Sequence, residues 1–394
     1  MRILLLRHYS MVEGHSMRSF SDQIAGGLRR RGYVVHELTP PVLLGRLFPR
    51  SHSAVKWFGY IDQFIIFPPL LWLKARHLPS GFLRVLADQA LGPWCPWLAG
   101  RAHVVHCHDL LALEASFGRQ PFHHLSLSGC CYQRLILWGF RQGRCFLSVS
   151  AATQAALLSH LFRPPLHSAV LYNPLNSRFS PLPRGTAMSL IQEALPQLTQ
   201  QRYLFHIGRN WYKNRQGVLA IWEQLHLLGS PIHLVMVGSL DPSLKSWLDR
   251  RPQLQPWLHV LVDASDSLVV ALYSQAAALL FPSHAEGFGW PILEALACGC
   301  PVITTDRRPM TEVGGKAVAT IPPPPPPPAT FDAWAQASAR QVQQVLNRSA
   351  PEQERMRQLG FAQARRFQLE TWLTQLESHY QQALVLQEKP PCAD

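Results

Sequence analysis

FPSHAEGFGWPILEALACGCPVITT, residues Phe281 to Thr305, decides how the rest of this chain is read. Glu286 and Glu294 lie eight positions apart on either side of a Gly-Phe-Gly turn and a proline. Gly287 and Gly289 free the backbone to bend tightly and let a ligand approach its N–H groups. Pro291 suits the first turn of a helix, where its missing donor costs nothing. We expect a helix over Ile292 to Cys298, a stop at Gly299, and a strand from Pro301. A helix N-terminus fed by such a loop carries partial positive charge and unpaired N–H donors, which seat a phosphate or diphosphate. Glu286 stands at the mouth of that seat, and Glu294, about one turn inside the helix, can accept two hydrogen bonds from a vicinal diol such as a ribose. The stretch therefore reads as a site for a sugar carried on a nucleoside diphosphate.

EGFGWPILEALACGCPVI closely resembles the E-x7-E motif of the retaining glycosyltransferases of family 4. Both glutamates, the glycines between them, Pro-x-x-Glu-Ala and Gly-x-Pro-Val are in register with it. The resemblance implies an α/β chain of GT-B fold, two Rossmann-like parallel-sheet domains facing a deep interdomain cleft. It further implies that Glu286, Gly287, Phe288 and Gly289 meet the donor sugar and its diphosphate, and that Glu294 holds the nucleoside ribose.

A length of 394 residues suits two domains, and an apolar fraction of 47% is ample for two cores. The formal charge is +13, with only six lysines, so arginine supplies nearly all of it. Such an excess favours an anionic partner: nucleotide, acidic lipid, lipopolysaccharide or nucleic acid. A nucleic-acid-binding role leaves Glu286 and Glu294 unexplained, so nucleic acid is the least expected of these. The most apolar run, Phe64 to Leu73, is cut by two prolines and is shorter than the ~20 residues that span a bilayer. The N-terminal MRILLLRHYS reads as a first buried strand rather than a signal peptide. Eight cysteines include no CxxC pair and read as buried thiols in a reducing cytosol.

A strand at Ile3 to Leu6, a helix with Met17, Phe20, Ile24 and Leu28 at helical spacing, and a strand from Tyr33 open the chain as a parallel α/β unit. By resemblance the first loop faces the cleft, and Gly14 is its candidate donor contact. From Pro40 to Trp97, Phe48, Trp57, Phe58, Tyr60, Phe64, Phe67, Trp72, Trp94 and Trp97 are mixed with six cations. That texture suits the headgroup zone of an anionic membrane surface, and internal packing of extra helices explains the aromatics equally well. His106-Cys-His108-Asp109 ends a strand, where side chains of parallel sheets line the ligand crevice. No further ligands follow it at a metal-binding spacing, so no metal is expected. By resemblance His108 contacts the donor phosphate and the incoming hydroxyl, while His106 points into the core. Tyr132 to Phe140 is an expected helix. Ser150 and Thr153 resemble the family's Val-Ser-x-x-Thr segment, with a helix cap the simpler account. Leu171 to Pro174 is an expected strand and turn, and Asn176 to Arg202 is expected to be linker and the early second domain.

Tyr203 to Ile207 runs into Gly208, followed by Arg209, Lys213 and Arg215 before a helix. An arginine fork and a lysine point charge together suit a diphosphate. The segment resembles the family's Gly-Arg-x-x-x-Lys motif, which makes Arg209 and Lys213 the donor-binding pair and leaves open which cation meets which phosphate. His259 to Asp263 is an expected strand, and the resemblance puts the nucleobase against the backbone near Val262. Pro322 to Pro328 is an unbroken proline run, either a stiff surface loop or a ligand for a proline-reading partner. Phe331 to Val345 and Glu352 to Leu386 are expected helices, and the tail from Lys389 is expected to be disordered.

The expected domains are 1–180 for the acceptor, 181–365 for the nucleotide sugar, and 366–394 as a helix returning to the first domain plus a tail. The expected activity is a hexosyltransferase moving a sugar from a nucleoside-diphosphate sugar to a glycan or lipid-linked acceptor, in polysaccharide or lipopolysaccharide synthesis. It is expected to need no metal and no cofactor beyond the donor itself, in the cytoplasm or at the inner face of the membrane. The alternatives are a sugar-nucleotide-binding or epimerising protein of the same fold and a basic nucleic-acid-binding protein.

Overall fold

The computed structural model describes residues 1–11, 14–47, 52–79, 81–198, 201–326 and 331–388. The chain forms two units. The first holds Met1–Arg119, His124–Tyr172 and a stretch beginning at Glu370, and the second holds Gln120–His123 and Asn173–Leu369.

The first unit is a six-stranded parallel sheet built from β1 (Arg2–Leu6), β2 (Val34–Leu38), β3 (Phe82–Leu86), β4 (His103–Cys107), β5 (Cys145–Ser148) and β6 (His167–Val170). The strand order is β2-β1-β3-β4-β5-β6. Helices cover both faces of such a sheet, which is why β1 reads as an apolar run and β3 and β4 are buried throughout. Phe67 and Trp94 fill the core beside Leu4, Leu6, Val105 and Phe146. The aromatic-basic segment thus divides: Phe67 and Trp94 are internal, Trp57, Trp72 and Trp97 are exposed, and Phe48 lies outside the described residues. The helix Leu369–Glu388 packs on this unit, with Leu373 against Gly27, Tyr380 hydroxyl 2.7 Å from His106 Nε2, and Arg31 paired with Glu370 and Glu377 at 2.7 and 3.1 Å.

The second unit repeats the architecture with β7 (Tyr203–Ile207), β8 (His233–Val237), β9 (Leu258–Leu261), β10 (Ala278–Phe281), β11 (Val302–Thr305) and β12 (Val318–Ile321), in the order β12-β11-β10-β7-β8-β9. Counted from β7 this is the Rossmann order 3-2-1-4-5-6. Its core gathers Leu204, Trp222, Leu234, Leu280, Ile303 and Val342 from strands and covering helices.

Several expected elements differ. The helix ending at Phe140 begins at Leu127 rather than Tyr132, because Ser126 caps it by accepting from Gly129 N at 3.3 Å. The strand expected over Leu171 to Asn173 is β6, four residues earlier. The 176–202 linker contains a helix, Arg184–Ala194, which buries Ala187 and Ile191. The single helix expected over Glu352 to Leu386 is two, Ala350–Ala364 and Leu369–Glu388. They are broken where Phe367 turns inward and its carbonyl accepts from Leu175 N at 2.7 Å. The thiols are not all buried: Cys131 is exposed and Cys130 half-buried on the helix Leu127–Phe140. Of the proline run, residues 322–326 form neither helix nor strand, while Pro327, Pro328 and the tail from Lys389 lie outside the described residues. Among the described residues no helix is long and apolar enough to cross a membrane.

Candidate functional site

In a parallel sheet, ligands bind beyond the carboxyl ends of the strands, at the point where successive connections turn to opposite sides. In the second unit that point lies between β7 and β10, and two residues picked from the sequence meet there. Lys213 Nζ donates to both oxygens of Glu286, at 2.8 and 3.0 Å, and Ser283 Oγ donates to Glu286 Oε1 at 2.8 Å. Both partners are buried. The ammonium also lies 4.5 Å from the ring centre of Phe281 and 5.1 Å from that of Tyr212. Burying two charged groups is costly unless they are paired and hydrogen-bonded, and this pair meets both conditions.

The backbone around the pair is held from three directions. Asn214, left-handed at φ 53°, accepts from Gly217 N at 3.0 Å, so capping the helix Arg215–Leu227, and donates to the Pro282 carbonyl at 2.9 Å. Thr305 Oγ1 donates to the Ser283 carbonyl and Arg307 to the His284 carbonyl, each at 2.8 Å. Gly208 and Gly238, at the ends of β7 and β8, have φ of 113° and 112°. A Cβ on Gly208 would crowd the stem of Lys213, and one on Gly238 would overlap the stem of Arg209. Both glycines are thus needed for the left-handed turn and for passage of a cation over it. Arg209 is exposed, whereas Arg215 is buried and spent on the carbonyls of Ser239 and Gly238 at 2.6 and 2.9 Å.

Gly289, at φ 102°, precedes the helix Trp290–Ala297, and Pro291 falls in its first turn. Phe288 is buried edge-on against Trp290 and Phe367, which pins the turn between Gly287 and Gly289. Glu294 accepts from the Tyr273 hydroxyl at 3.0 Å. Burial pushes its carboxyl up to about 7, against the opposing pull of that hydroxyl and of Lys213 and Arg178. Val262 is exposed directly after β9, at the same carboxyl edge of the sheet.

In the first unit the connections diverge between β1 and β3, and there His8 Nε2 lies 3.0 Å from Asp88 Oδ2. Burial alone would raise the Asp88 carboxyl. The His8 contact, the neighbouring imidazoles and the Ala90 N–H outweigh it and hold the group below its ordinary value. His108 follows β4; its Nε2 is 2.9 Å from the Ala87 carbonyl, its ring is edge-on to Phe20 at 4.5 Å, and burial lowers its pKa. His106 is a core residue, its pKa pushed down to about 3 by burial. Gly14 is exposed at the N-cap of the helix His15–Arg30. Ser150 accepts from Thr153 N at 3.0 Å and is a helix cap.

Sequence reasoning missed His8, Asp88, Asn214, Tyr273 and Ser283. His8 and Asp88 each stand two residues beyond a strand end, so the crevice rule applied to β1 and β3 would have found them. Tyr273 reaches Glu294 from a separate helix, and nothing in the local pattern announces that contact.

Residues 201–348 match the family model described as "Glycosyl transferases group 1". The second unit carries a domain of that family. Over 140 residues, 31% are identical to the O-antigen chain mannosyltransferase B of Escherichia coli, covering 34% of this chain and 37% of that protein. The serotype-specific mannosyltransferase WbdA of Escherichia coli is 38% identical over 97 residues, 24% of this chain and 12% of that one. The matched stretch is thus well under half of either relative's length. Two solved structures align over nearly the whole length. Sucrose-phosphate synthase of Thermosynechococcus elongatus has TM-score 0.71 at 18% identity, covering 98% of this chain and 99% of that one. Anabaena HepE, solved with UDP and glucose, has TM-score 0.68 at 17% identity, covering 96% and 98%. The group 1 domain therefore sits in a chain of GT-B fold.

Proposed function

We propose that this protein is a retaining hexosyltransferase that moves a sugar from a nucleoside diphosphate to a hydroxyl of a glycan or lipid-linked glycan in cell-surface polysaccharide synthesis. The observation that carries the reading is the buried Lys213–Glu286 pair at the β7/β10 divergence, flanked by Arg209 and by a Gly-Phe-Gly turn entering a helix N-terminus. In the reaction the C1–O bond of the donor breaks and its electron pair passes to the leaving phosphate oxygen. The acceptor oxygen attacks C1 from the same face, and its proton goes to that phosphate oxygen. Arg209, Lys213 and the N–H groups after Gly289 stabilise the charge that builds on the diphosphate. Glu286 orients the sugar, and Lys213 fixes Glu286 in place. Glu294 holds the ribose, exchanging its Tyr273 hydrogen bond for the diol, and the backbone at Val262 receives the base.

In the first unit, His108 serves the acceptor hydroxyl, and His8 with Asp88 completes the polar edge. With cations already supplied by side chains, the reaction needs no divalent metal. The protein works at the inner face of the membrane, where the exposed Trp57 and Trp72 meet lipid headgroups.

Thermal stabilisation by a panel of nucleotide sugars tests this reading. The mannosyltransferase relatives make GDP-mannose the first donor to try, and the HepE complex makes UDP-glucose the second. One donor should raise the melting temperature of the wild type and not of Glu294→Ala. If no nucleotide sugar stabilises the wild type, the proposal fails.

A further inference from the structure

At the edge of the first sheet opposite to His8, Asp88 and His108 lies a cavity of about 1020 Å³. It is formed by the end of the helix Leu127–Phe140, the turn leading into β5 and the segment leading into β6. Its lining holds Arg134, Arg141, Arg144 and Arg163 and no acidic residue. Only Arg141 has an evident structural task, donating through Nε to the His160 carbonyl at 2.7 Å and stacking on Phe162 at 3.7 Å. Arg134, Arg144 and Arg163 are exposed, and among the described residues no carboxylate pairs with them. Glu114, one turn before the lining residue Phe117, is taken up by His160 at 2.5 Å and Arg119 at 3.5 Å.

Four arginines without a counter-charge repel one another, and folding alone does not call for that arrangement. A guanidinium fork matches phosphate oxygens. The rim is apolar as well: Trp138 is 54% and Phe162 81% exposed. The apolar character continues along the same helix through Leu135, Cys131 and Leu127, the last 87% exposed, at the i, i+4, i+8 spacing of one helical face. Beside that helix, Tyr60 stacks on Tyr132 at 5.2 Å between ring centres and meets the exposed Trp57 edge-on at 5.7 Å. A nucleic acid would call for cations along the stripe, whereas a bilayer calls for cations at headgroup depth and apolar side chains beside them.

We propose that this cavity binds the phosphate headgroup of an anionic membrane phospholipid, with the outer stripe of the helix Leu127–Phe140 lying in the interfacial zone. The proposal deepens the membrane reading above and is independent of the transfer chemistry.

The test is co-sedimentation of the full chain with phosphatidylcholine vesicles, with and without phosphatidylglycerol. Three proteins are compared: wild type, Arg134→Glu/Arg163→Glu and Trp138→Ser/Phe162→Ser. Thermal stabilisation by the donor serves as a fold control. Phosphatidylglycerol should raise wild-type binding about ten-fold or more. The charge-reversed protein should lose that gain while keeping its donor response, and the serine variant should bind several-fold more weakly. A soluble short-chain phosphatidylglycerol should compete where inorganic phosphate does not. If the charge-reversed protein sediments like wild type, the cavity is not the lipid site although the membrane reading stands. If wild type ignores both vesicles, both fail. If inorganic phosphate or an RNA oligonucleotide displaces the vesicles through the same arginines, the lipid assignment is overturned.

Discussion

The two units solve one topological problem with different charges. Where the connections diverge, the first joins β1 to β3 through His8 and Asp88, and the second joins β7 to β10 through Lys213 and Glu286. The first pair sets an imidazole against a carboxylate, whereas the second sets an ammonium, packed by Phe281 and Tyr212, against both oxygens of a carboxylate. The strand ends differ too. β7 and β8 run into Gly208 and Gly238, both with positive φ, while β1 and β3 run into Arg7 and Ala87. The second unit thus sets Arg209 and the Lys213–Glu286 pair beside a helix N-terminus, the arrangement that the proposed function assigns to a diphosphate. The first presents imidazoles and a carboxylate, which the proposed function assigns to the acceptor hydroxyl.

The strongest way to break this contrast is to remove the second pair. Glu286→Ala leaves Lys213 buried without a counter-ion, so urea unfolding should show a loss of about 3 kcal/mol. Turnover should fall by on the order of 10³-fold. Lys213→Met/Glu286→Leu should recover most of the stability and none of the activity. If the double variant regains turnover, the pair is structural only. If His8→Ala lowers turnover as far as Glu286→Ala does, the two units do not divide the work as described.

Gly238→Ala tests the strand-end difference. The new methyl meets the Arg209 stem and the backbone sits at φ 112°, so a cost of about 2 kcal/mol is expected. Donor affinity should fall about ten-fold through the displaced guanidinium, at little change in turnover once the donor is saturating. A variant with wild-type affinity would remove Arg209 from the donor site.

Asp88→Asn is the milder counterpart in the first unit. Because the folded Asp88 carboxyl is held below its ordinary value, it contributes stability above the usual carboxylate range, lost as pH falls through the folded value. The asparagine variant should therefore be less stable by about 1 kcal/mol at neutral pH, and the difference should close in acid. A difference that grows on acidification would reverse the sign assigned here.

These tests separate what local sequence encodes from what it does not. Short-range signals predicted well: apolar runs became buried strands, glycines at 208 and 289 marked backbone bends, and the Glu286-to-Glu294 stretch became a loop and a helix within two residues of the expected bounds. The meeting of Lys213 with Glu286 was not legible, because it depends on β7 and β10 being neighbours although the two residues are 73 positions apart, with β8 and β9 between them in the chain. The same reason hid Tyr273 from Glu294 and His8 from Asp88. Helix breaks failed differently. Glu352 to Leu386 has helical spacing throughout, and the interruption comes from burying Phe367, a tertiary choice that outweighs propensity.

The smallest expected effect sits at Glu294, the other carboxylate of the second unit, and it runs opposite to Asp88. Burial raises its carboxyl to about 7, so between the ordinary carboxylate value and about 7 the folded protein keeps a proton that the unfolded chain has lost. Stability therefore falls as pH rises through that window, and above it the full penalty is present. Glu294→Gln keeps the shape, accepts from Tyr273 through its amide oxygen and carries no charge. It should gain about 1 kcal/mol over wild type at pH 8 and nothing at pH 4.5, after discounting for partial access to water. The same variant should bind donor more weakly, since a neutral amide is a poorer acceptor for the ribose diol than a carboxylate. Stability and affinity thus move in opposite directions at one residue, which is what a buried carboxylate retained for a ligand predicts. If unfolding curves at the two pH values show no difference between the proteins, Glu294 is an ordinary solvated carboxylate and the ribose role loses its physical basis.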